Sequence, residues 1–146
     1  MERLDALGLN LMILKDGATL FSSAMEGIAP LVEAVEELGV GRLEGSTVVD
    51  RIVGKAAALI IAYFKAARVY AKVLSRRSAP VLDRCGIVCV AEEVVEEILN
   101  REGTDMCPFE RMVLSIDDPA EGYEVVRRAV RKGGPAKPHS PTGGSL

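Results

Sequence analysis

The hydrophobic pattern divides the first part of the chain into two short β-rich segments and a helical one. The run LGLNLMILKDGATLFSSAM contains strand-like segments at residues 9–14 and 19–23, separated by KDG. A short turn of this composition between such segments predicts a β-hairpin. In GIAPLVEAVEELG, apolar residues recur at helical spacing, with Pro30 near the first turn and Gly39 at the end. This pattern predicts the first helix.

The longest apolar segment is STVVDRIVGKAAALIIAYF, residues 46–64. Its apolar residues recur at helical spacing and leave little polar surface, which predicts one helix that is buried on most sides. Ser46 or Thr47 would begin this helix, because Thr47 and Asp50 have capping-box spacing. Gly54 would then lie in the helix interior, where glycine costs about 1 kcal/mol relative to alanine. Close approach of a neighbouring backbone in the packed core, or of a ligand, would explain its presence.

The remaining segments alternate between strands and helices. The β-rich segments are RVYAKVLS and IVCVA, and the second has the compact apolar character of a strand buried in a parallel sheet. Four segments predict helices: APVLDRCG, EEVVEEILNREG, MCPFERMVLSI and DPAEGYEVVRRAVRKGG. Strands that alternate with helices predict an α/β domain, a three-layer sandwich in which a mixed sheet of about four strands has helices on both faces.

Composition bounds the domain organisation and the partners. The chain has 146 residues, 49% of them hydrophobic, which predicts one domain over residues 1–132 followed by a disordered tail, residues 133–146, rich in Gly, Pro and Ser. With 18 basic and 21 acidic residues and no long run of either sign, nucleic acid is not an expected partner. No apolar segment is long enough for a membrane span, and the first residues lack the features of a signal peptide, so we expect a cytoplasmic protein.

The number and position of the cysteines and the histidine limit the metal sites that the chain could form. Cys85, Cys89 and Cys107 are expected to be reduced in the cytoplasm, and the one histidine, His139, lies in the predicted tail. Too few Cys and His ligands remain for zinc, so we expect no metal and no other cofactor. Cys107 lies near a predicted helix N-terminus, whether it or Asp105 is the cap residue, and this position favours a reactive thiolate. Packing as a small buried residue is the alternative.

Lys55 is the main candidate for chemistry. In one interpretation its ammonium reaches water along a narrow polar strip. In the other, Lys55 lines a cleft at the N-terminal end of the core helix, where free N–H groups favour anions. A ligand site for a carboxylate or phosphate would then comprise Lys55, Ser46, Thr47 and Gly54. If the site is catalytic, Lys55 would act as a base or amine nucleophile, assisted by Asp50 or Cys107. Because a buried charge is costly, Lys55→Met would then preserve or raise stability.

The order of the predicted elements resembles the cytidine-deaminase-like fold. In zinc deaminases of this fold, HAE begins the core helix and PCxxC begins the next helix; the His and two Cys bind zinc and the Glu shuttles protons. The corresponding windows here are VGKAAAL and SAPVLDRCG. Val53 occupies the position of the zinc-binding His and Lys55 that of the Glu, while Pro80 is followed by Val81 and Leu82. The resemblance therefore implies the fold without the zinc chemistry.

Six motifs resemble, more specifically, an uncharacterised prokaryotic family of unknown function with this fold. They lie within residues 9–126 and are LKDGATLFSS, GIAPLVEAVEELG, VVDRIVGKAAALI, LDRCGI, NREGTDMCPFE and DDPAEGYE. The resemblance implies an architecture and carries no reaction, so the sequence does not decide whether the protein is an enzyme.

Three functional hypotheses follow. The first is a zinc-independent enzyme or binder of a small anionic metabolite, nucleotide-like only by analogy of fold. The second is a non-catalytic regulatory or protein-interaction module. The third is a thiol redox protein centred on Cys107. A homo-oligomer is left open.

Overall fold

The computed structural model describes residues 2–133, which form one sheet and its surrounding helices. The strands are β1 (Leu11–Lys15), β2 (Ala18–Ser23), β3 (Thr47–Val53), β4 (Arg68–Ser75) and β5 (Val88–Val95). The helices are α1 (Glu2–Leu7), α2 (Ala29–Leu43), α3 (Lys55–Tyr63), α4 (Ser78–Arg84), α5 (Pro108–Met112) and α6 (Pro119–Arg131). Residues 134–146, most of the predicted tail, lie outside the described residues, so the tail stays a prediction.

The sheet has five strands in the order β2-β1-β3-β4-β5. β1 is antiparallel to both β2 and β3, whereas β3, β4 and β5 are mutually parallel. This confirms a mixed sheet but corrects the predicted count of about four strands. The predicted hairpin is also confirmed, and its turn residues Asp16 and Gly17 both have positive φ, 52° and 82°, as a type I′ turn requires.

The strand that the sequence did not predict is β3. Residues 46–64 were expected to form one helix, but Thr47–Val53 is the central strand, Gly54 is the N-cap of α3 and Lys55 is the first helical residue. Five of the seven residues in TVVDRIV are β-branched, and such residues pack well in a sheet. Val49 is half-buried and Ile52 is 53% exposed although both are apolar, so the sequence lacks the apolar-polar alternation that would have marked a strand.

Two further predictions were wrong near β5. The segment EEVVEEILNREG does not form a helix, because β5 continues through its first residues to Val95 and the rest is a loop that includes a bridge between Leu99 and Met106. β5 also lies at the edge of the sheet rather than inside it. Val88 and Val90 are consequently 58% and 52% exposed.

The other predicted helices are confirmed as α2, α4, α5 and α6. Gly39 interrupts α2 with a φ of 80°, as expected of a helix stop, although the chain resumes a helical turn to Leu43. Asp118 caps α6 by accepting a hydrogen bond from the N–H of Glu121 at 2.9 Å, just before Pro119. These local signals specify where the elements begin and end.

The main core lies on one face of the sheet, under α2, α3, α4 and α6. The crossovers through α3 and α4 step in the same direction along the sheet, and parallel crossovers are right-handed, so both helices lie on the same face. α6 packs against α3 and α2. Gly122 allows the close α3–α6 contact, because a Cβ at this position would lie 2.7 Å from Leu59 Cδ1.

The opposite face, which we call the open face, carries Val49, Tyr70, Val88 and Val90. Leu4 of α1 and Met12 of β1 are 0% and 3% exposed, yet neither belongs to the main core cluster. An ion pair of 2.6 Å also joins Asp5 of α1 to Arg51 of β3. We infer that α1 lies against the open face near β1 and β3. Within residues 2–133 it is the only helix on that face, so the second helical layer of the predicted sandwich is reduced to one short helix.

Candidate functional site at the start of the central helix

The edge of the sheet where β3, β4 and β5 end is called here the α3 edge, since α3 begins there. The N–H groups of Lys55 and Ala56 donate to the carboxylate of Glu110, at 2.7 Å to Oε1 and 2.8 Å to Oε2. Glu110 comes from α5 and is only 5% exposed. The N-terminus of α3 is therefore an anion site, as such termini favour, and a carboxylate of the chain itself occupies it.

Gly54 makes room for this carboxylate. A Cβ at residue 54 would lie 2.5 Å from Glu110 Oε1 and 2.6 Å from Cδ. The φ of Gly54 is −100°, which any residue can adopt, so close approach rather than backbone conformation calls for glycine here. The close neighbour of Gly54 is thus the side chain of Glu110 rather than a backbone segment or a ligand.

Burial raises the pKa of the Glu110 carboxyl group. The N–H groups of Ala56 and Lys55 oppose this rise because they stabilise the charged form. Both oxygens accept a backbone N–H, an arrangement that suits the ionised carboxylate.

Lys55 connects the start of α3 to the segment between α5 and α6. Its side chain is 9% exposed, and its Nζ lies 3.0 Å from both the carbonyl oxygen of Leu114 and Oδ1 of Asp117. The hydrogen bond from Lys55 lowers the pKa of Asp117, which is itself exposed. Lys55 therefore does not extend into water, and its ammonium already has two acceptors within the chain.

Ser46 and Thr47, predicted to lie in the same site, are at the far end of β3 from Lys55. The seven-residue strand between them spans roughly 20 Å, so the structure does not bring these residues to Lys55. Ser46 is fully buried, and within residues 2–133 its Oγ has no hydrogen-bond partner. The predicted grouping depended on a continuous helix from residue 46, which the strand replaces.

Asp50 is a buried acid within the sheet. It lies opposite Leu11 of β1 and Ala71 of β4, and it is 9% exposed. Burial raises its pKa to about 7, although the backbone N–H groups of Ile52 and Arg51 act in the opposite direction. Within residues 2–133, no hydrogen bond or ion pair joins Asp50 to Lys55.

Cys107 is the N-cap residue of α5, which is one of the two cap positions predicted for this region. It is half-buried and not disulfide-bonded. Its N–H donates to Ile98 O, and its carbonyl accepts from the N–H of Arg111. These backbone contacts hold the start of the helix that carries Glu110 and do not involve the thiol, so its predicted reactivity stays a prediction.

Glu110 and Asp117 are the site residues that the sequence did not predict. Gly54 was the available signal, because an unexplained glycine indicates a close neighbour. The neighbour is 55 residues from Lys55 along the chain, and nothing in a single sequence connects positions so far apart. Within residues 2–133, no group of three or more His, Cys, Asp or Glu side chains could hold a metal ion. His139 lies outside this range.

None of the described helices is both long enough and apolar enough to span a bilayer.

Comparisons with known proteins agree with the resemblance of the motifs to a family of unknown function. Residues 1–130 match the family described as "Domain of unknown function (DUF1893)". The crystal structure of a DUF1893 family protein, TM1506, from Thermotoga maritima is similar to this fold, with a TM-score of 0.78 and 33% sequence identity over 86% of this chain and 83% of that chain. The search of curated proteins finds no match. On this evidence the chain belongs to the DUF1893 family.

Proposed function

We propose that this protein is a non-catalytic interaction module with a zinc-free, cytidine-deaminase-like fold. The observation that carries the proposal is the pair of hydrogen bonds by which Glu110 occupies the N-terminus of α3. In zinc deaminases, metal ligands begin the helices that correspond to α3 and α4. The order of the five strands and the position of α3 after β3 and of α4 after β4 support the resemblance in fold.

At the start of α4, too, a side chain of the protein accepts a backbone N–H group. The N–H of Ser78 donates to Ser75 Oγ at 3.2 Å, and Ser78 Oγ donates to Ser75 O at 2.6 Å. Both serines are fully buried. At the α3 edge, side chains of the chain itself thus accept two N–H groups at the start of α3 and one at the start of α4, which leaves fewer donors there for a substrate.

The anionic-metabolite site near Lys55 stays a prediction, and the structure adds a requirement to it. A ligand anion would have to displace Glu110 from two N–H groups, each bond to a charged group contributing about 1.5–3 kcal/mol. It would also have to share Lys55 with Leu114 O and Asp117. For these reasons the interaction module is the function that we favour.

A ligand screen tests the proposal. Nucleotides, sugar phosphates and carboxylates would be screened by thermal shift against the wild type and Lys55→Met, with Lys132→Met as the control because Lys132 is an exposed lysine at the end of α6. We expect no compound to stabilise the wild type through Lys55. A compound that stabilises the wild type and Lys132→Met but not Lys55→Met would contradict the proposal and support the metabolite site.

A second variant shows that the screen can detect binding at this position. Glu110→Ala removes the internal carboxylate and leaves the N–H groups of Lys55 and Ala56 without their acceptor. We expect formate, which carries the same carboxylate, to raise the melting temperature of Glu110→Ala more than that of the wild type. Equal shifts in both proteins would mean that the start of α3 is not an anion site.

A further inference from the structure

The open face carries an exposed apolar patch on two neighbouring strands. The register places Tyr70 of β4 beside Val90 of β5, and Arg68 beside Val88. Tyr70, Val88 and Val90 are 37%, 58% and 52% exposed. We call these three residues the β4–β5 patch. Their exposure shows that α1 leaves these three side chains uncovered.

The alternation of side chains places the neighbouring charges on the same face. In β4, Val69 and Ala71 belong to the main core, so the open face receives Arg68, Tyr70 and Lys72. In β5, Cys89 and Ala91 pack against the core, so the open face receives Val88, Val90 and Glu92. The patch is therefore followed, along the direction of the strands, by a cation on β4 and an anion on β5.

Lys72 and Glu92 lie beside each other on adjacent strands, because Ala71 pairs with Ala91 and Val73 with Glu93. Lys72 and Glu92 are both exposed, and neither forms an ion pair within residues 2–133. The pKa of Asp5 on α1 is lowered chiefly by its hydrogen bond to Arg51 and in lesser part by the charge of Lys72. This supports the position of Lys72 on the face that α1 contacts.

We propose that the β4–β5 patch binds the same patch of a second copy of this chain, forming a two-fold symmetric dimer. The inference rests on the proposed interaction function and names the partner. A two-fold axis that runs parallel to the strands, between β4 and β5, places β4 of each copy over β5 of the other. Tyr70 then covers the partner's Val90, and Lys72 faces the partner's Glu92, each contact occurring twice. Aligned sheets pack in this manner about 10 Å apart.

Charge complementarity selects this occupant over the alternatives. An unlike partner with a surface of one sign would pair with Lys72 or with Glu92, whereas a second copy pairs with both. Residues 134–146, outside the described range, are mostly Gly, Pro, Ser and other small or polar residues, with Leu146 as the only large aliphatic one.

Light scattering coupled to gel filtration tests the dimer. The wild type should have twice the chain mass of 15.6 kDa. Lys72→Glu and Glu92→Lys should each be monomeric, because each variant brings like charges together twice. An equimolar mixture of the two variants should recover the dimer mass, because every contact between the unlike chains again joins opposite charges. The two single variants test the proposed axis, and the recovery shows that these charges meet across the interface.

Controls separate the interface from folding. Val90→Asp should raise the dimer dissociation constant about tenfold or more, whereas Met25→Asp, at a residue 59% exposed in the β2–α2 connection, should leave it unchanged. Circular dichroism melting verifies that each variant is folded. A monomeric wild type would overturn the inference, as would a dimer that persists in Val90→Asp and both charge reversals. Neither result bears on the ligand screen at Lys55, so the dimer and the interaction function fail separately.

Discussion

The α3 edge and the open face differ in whether their polar groups have hydrogen-bond or ion-pair partners within the chain. At the α3 edge, Glu110 accepts two N–H groups, and Lys55 has a carbonyl and a carboxylate as acceptors. On the open face, Lys72 and Glu92 are exposed beside an apolar patch. A buried polar group without a partner costs several kcal/mol, so the edge has to satisfy itself when the chain folds, whereas the solvated face does not. The resemblance to an enzyme directs attention to the edge, but the groups still available for a partner are on the face.

The largest expected effect concerns Asp50, on the buried side of the sheet. Burial raises its pKa from 3.8 to about 7. Because the unfolded chain then loses this proton at lower pH than the folded chain does, stability should fall as pH rises from about 4 to about 7 and stay level above that. The difference corresponds to about 4 kcal/mol.

Urea unfolding of the wild type and Asp50→Asn at about pH 5, 6 and 8 measures this effect. The stability of Asp50→Asn should lack the part of the decline that Asp50 causes. The variant should therefore become more stable relative to the wild type as pH rises. Glu110 also has a raised pKa and acts in the same direction, but it titrates in both proteins, so their difference isolates Asp50. A difference that does not change with pH would contradict the prediction.

The next effect compares two glycines. Gly54→Ala should cost about 3 kcal/mol, because the new Cβ would force the Glu110 carboxylate from its two N–H donors. Gly41→Ala is the matched control in α2: a Cβ there meets nothing within 4 Å, so the variant should be as stable as the wild type or up to about 1 kcal/mol more stable. Chemical denaturation measures both. Equal results for the two variants would show that Glu110 does not require glycine at residue 54.

Sequence patterns predicted the elements whose signals are local. The turn at Asp16 and Gly17 and the helix start at Asp118 and Pro119 involve adjacent residues, and both were found as predicted. β3 was missed because TVVDRIV is apolar on both faces and runs directly into α3, so helical spacing extended over both. A hydrophobic pattern of this kind does not distinguish a central strand from a buried helix.

The candidate site was less predictable than the fold. Lys55 was singled out within a helix that was expected to begin at Ser46 or Thr47, whereas the structure makes it the first residue of α3. Its partners Leu114 and Asp117 and the carboxylate of Glu110 all come from a distant segment. Such contacts depend on how α5 and α6 pack against α3, which no local pattern specifies.

A smaller effect is expected at Lys55. The cost of a buried charge led us to expect that Lys55→Met would preserve or raise stability, but the bond to Leu114 O reverses the expected sign. Lys55→Met should cost about 1 kcal/mol, since it leaves this carbonyl without its donor. Asp117→Asn should cost less than about 0.5 kcal/mol, because Asp117 is 72% exposed. In the Lys55→Met background, Asp117→Asn should have no effect. A stabilised Lys55→Met would contradict the assignment.

The smallest expected effect is that of Val88→Thr on the open face, which we compare with the same replacement at Val69 in the core. Val88→Thr replaces a methyl group by a hydroxyl at a residue 58% exposed, so at protein concentrations low enough for monomers it should change the free energy of unfolding by less than about 0.5 kcal/mol. Val69→Thr makes the same replacement at a fully buried residue of β4 and should cost about 1–3 kcal/mol at every concentration.

At high concentration the dimer should raise the melting temperature of the wild type by mass action, and Val88→Thr should reduce that rise. A penalty for Val88→Thr that appears only where dimers form would tie the exposed valine to association. A penalty of the same size at all concentrations would show that Val88 stabilises the monomer and would remove the contrast between the two faces of the sheet.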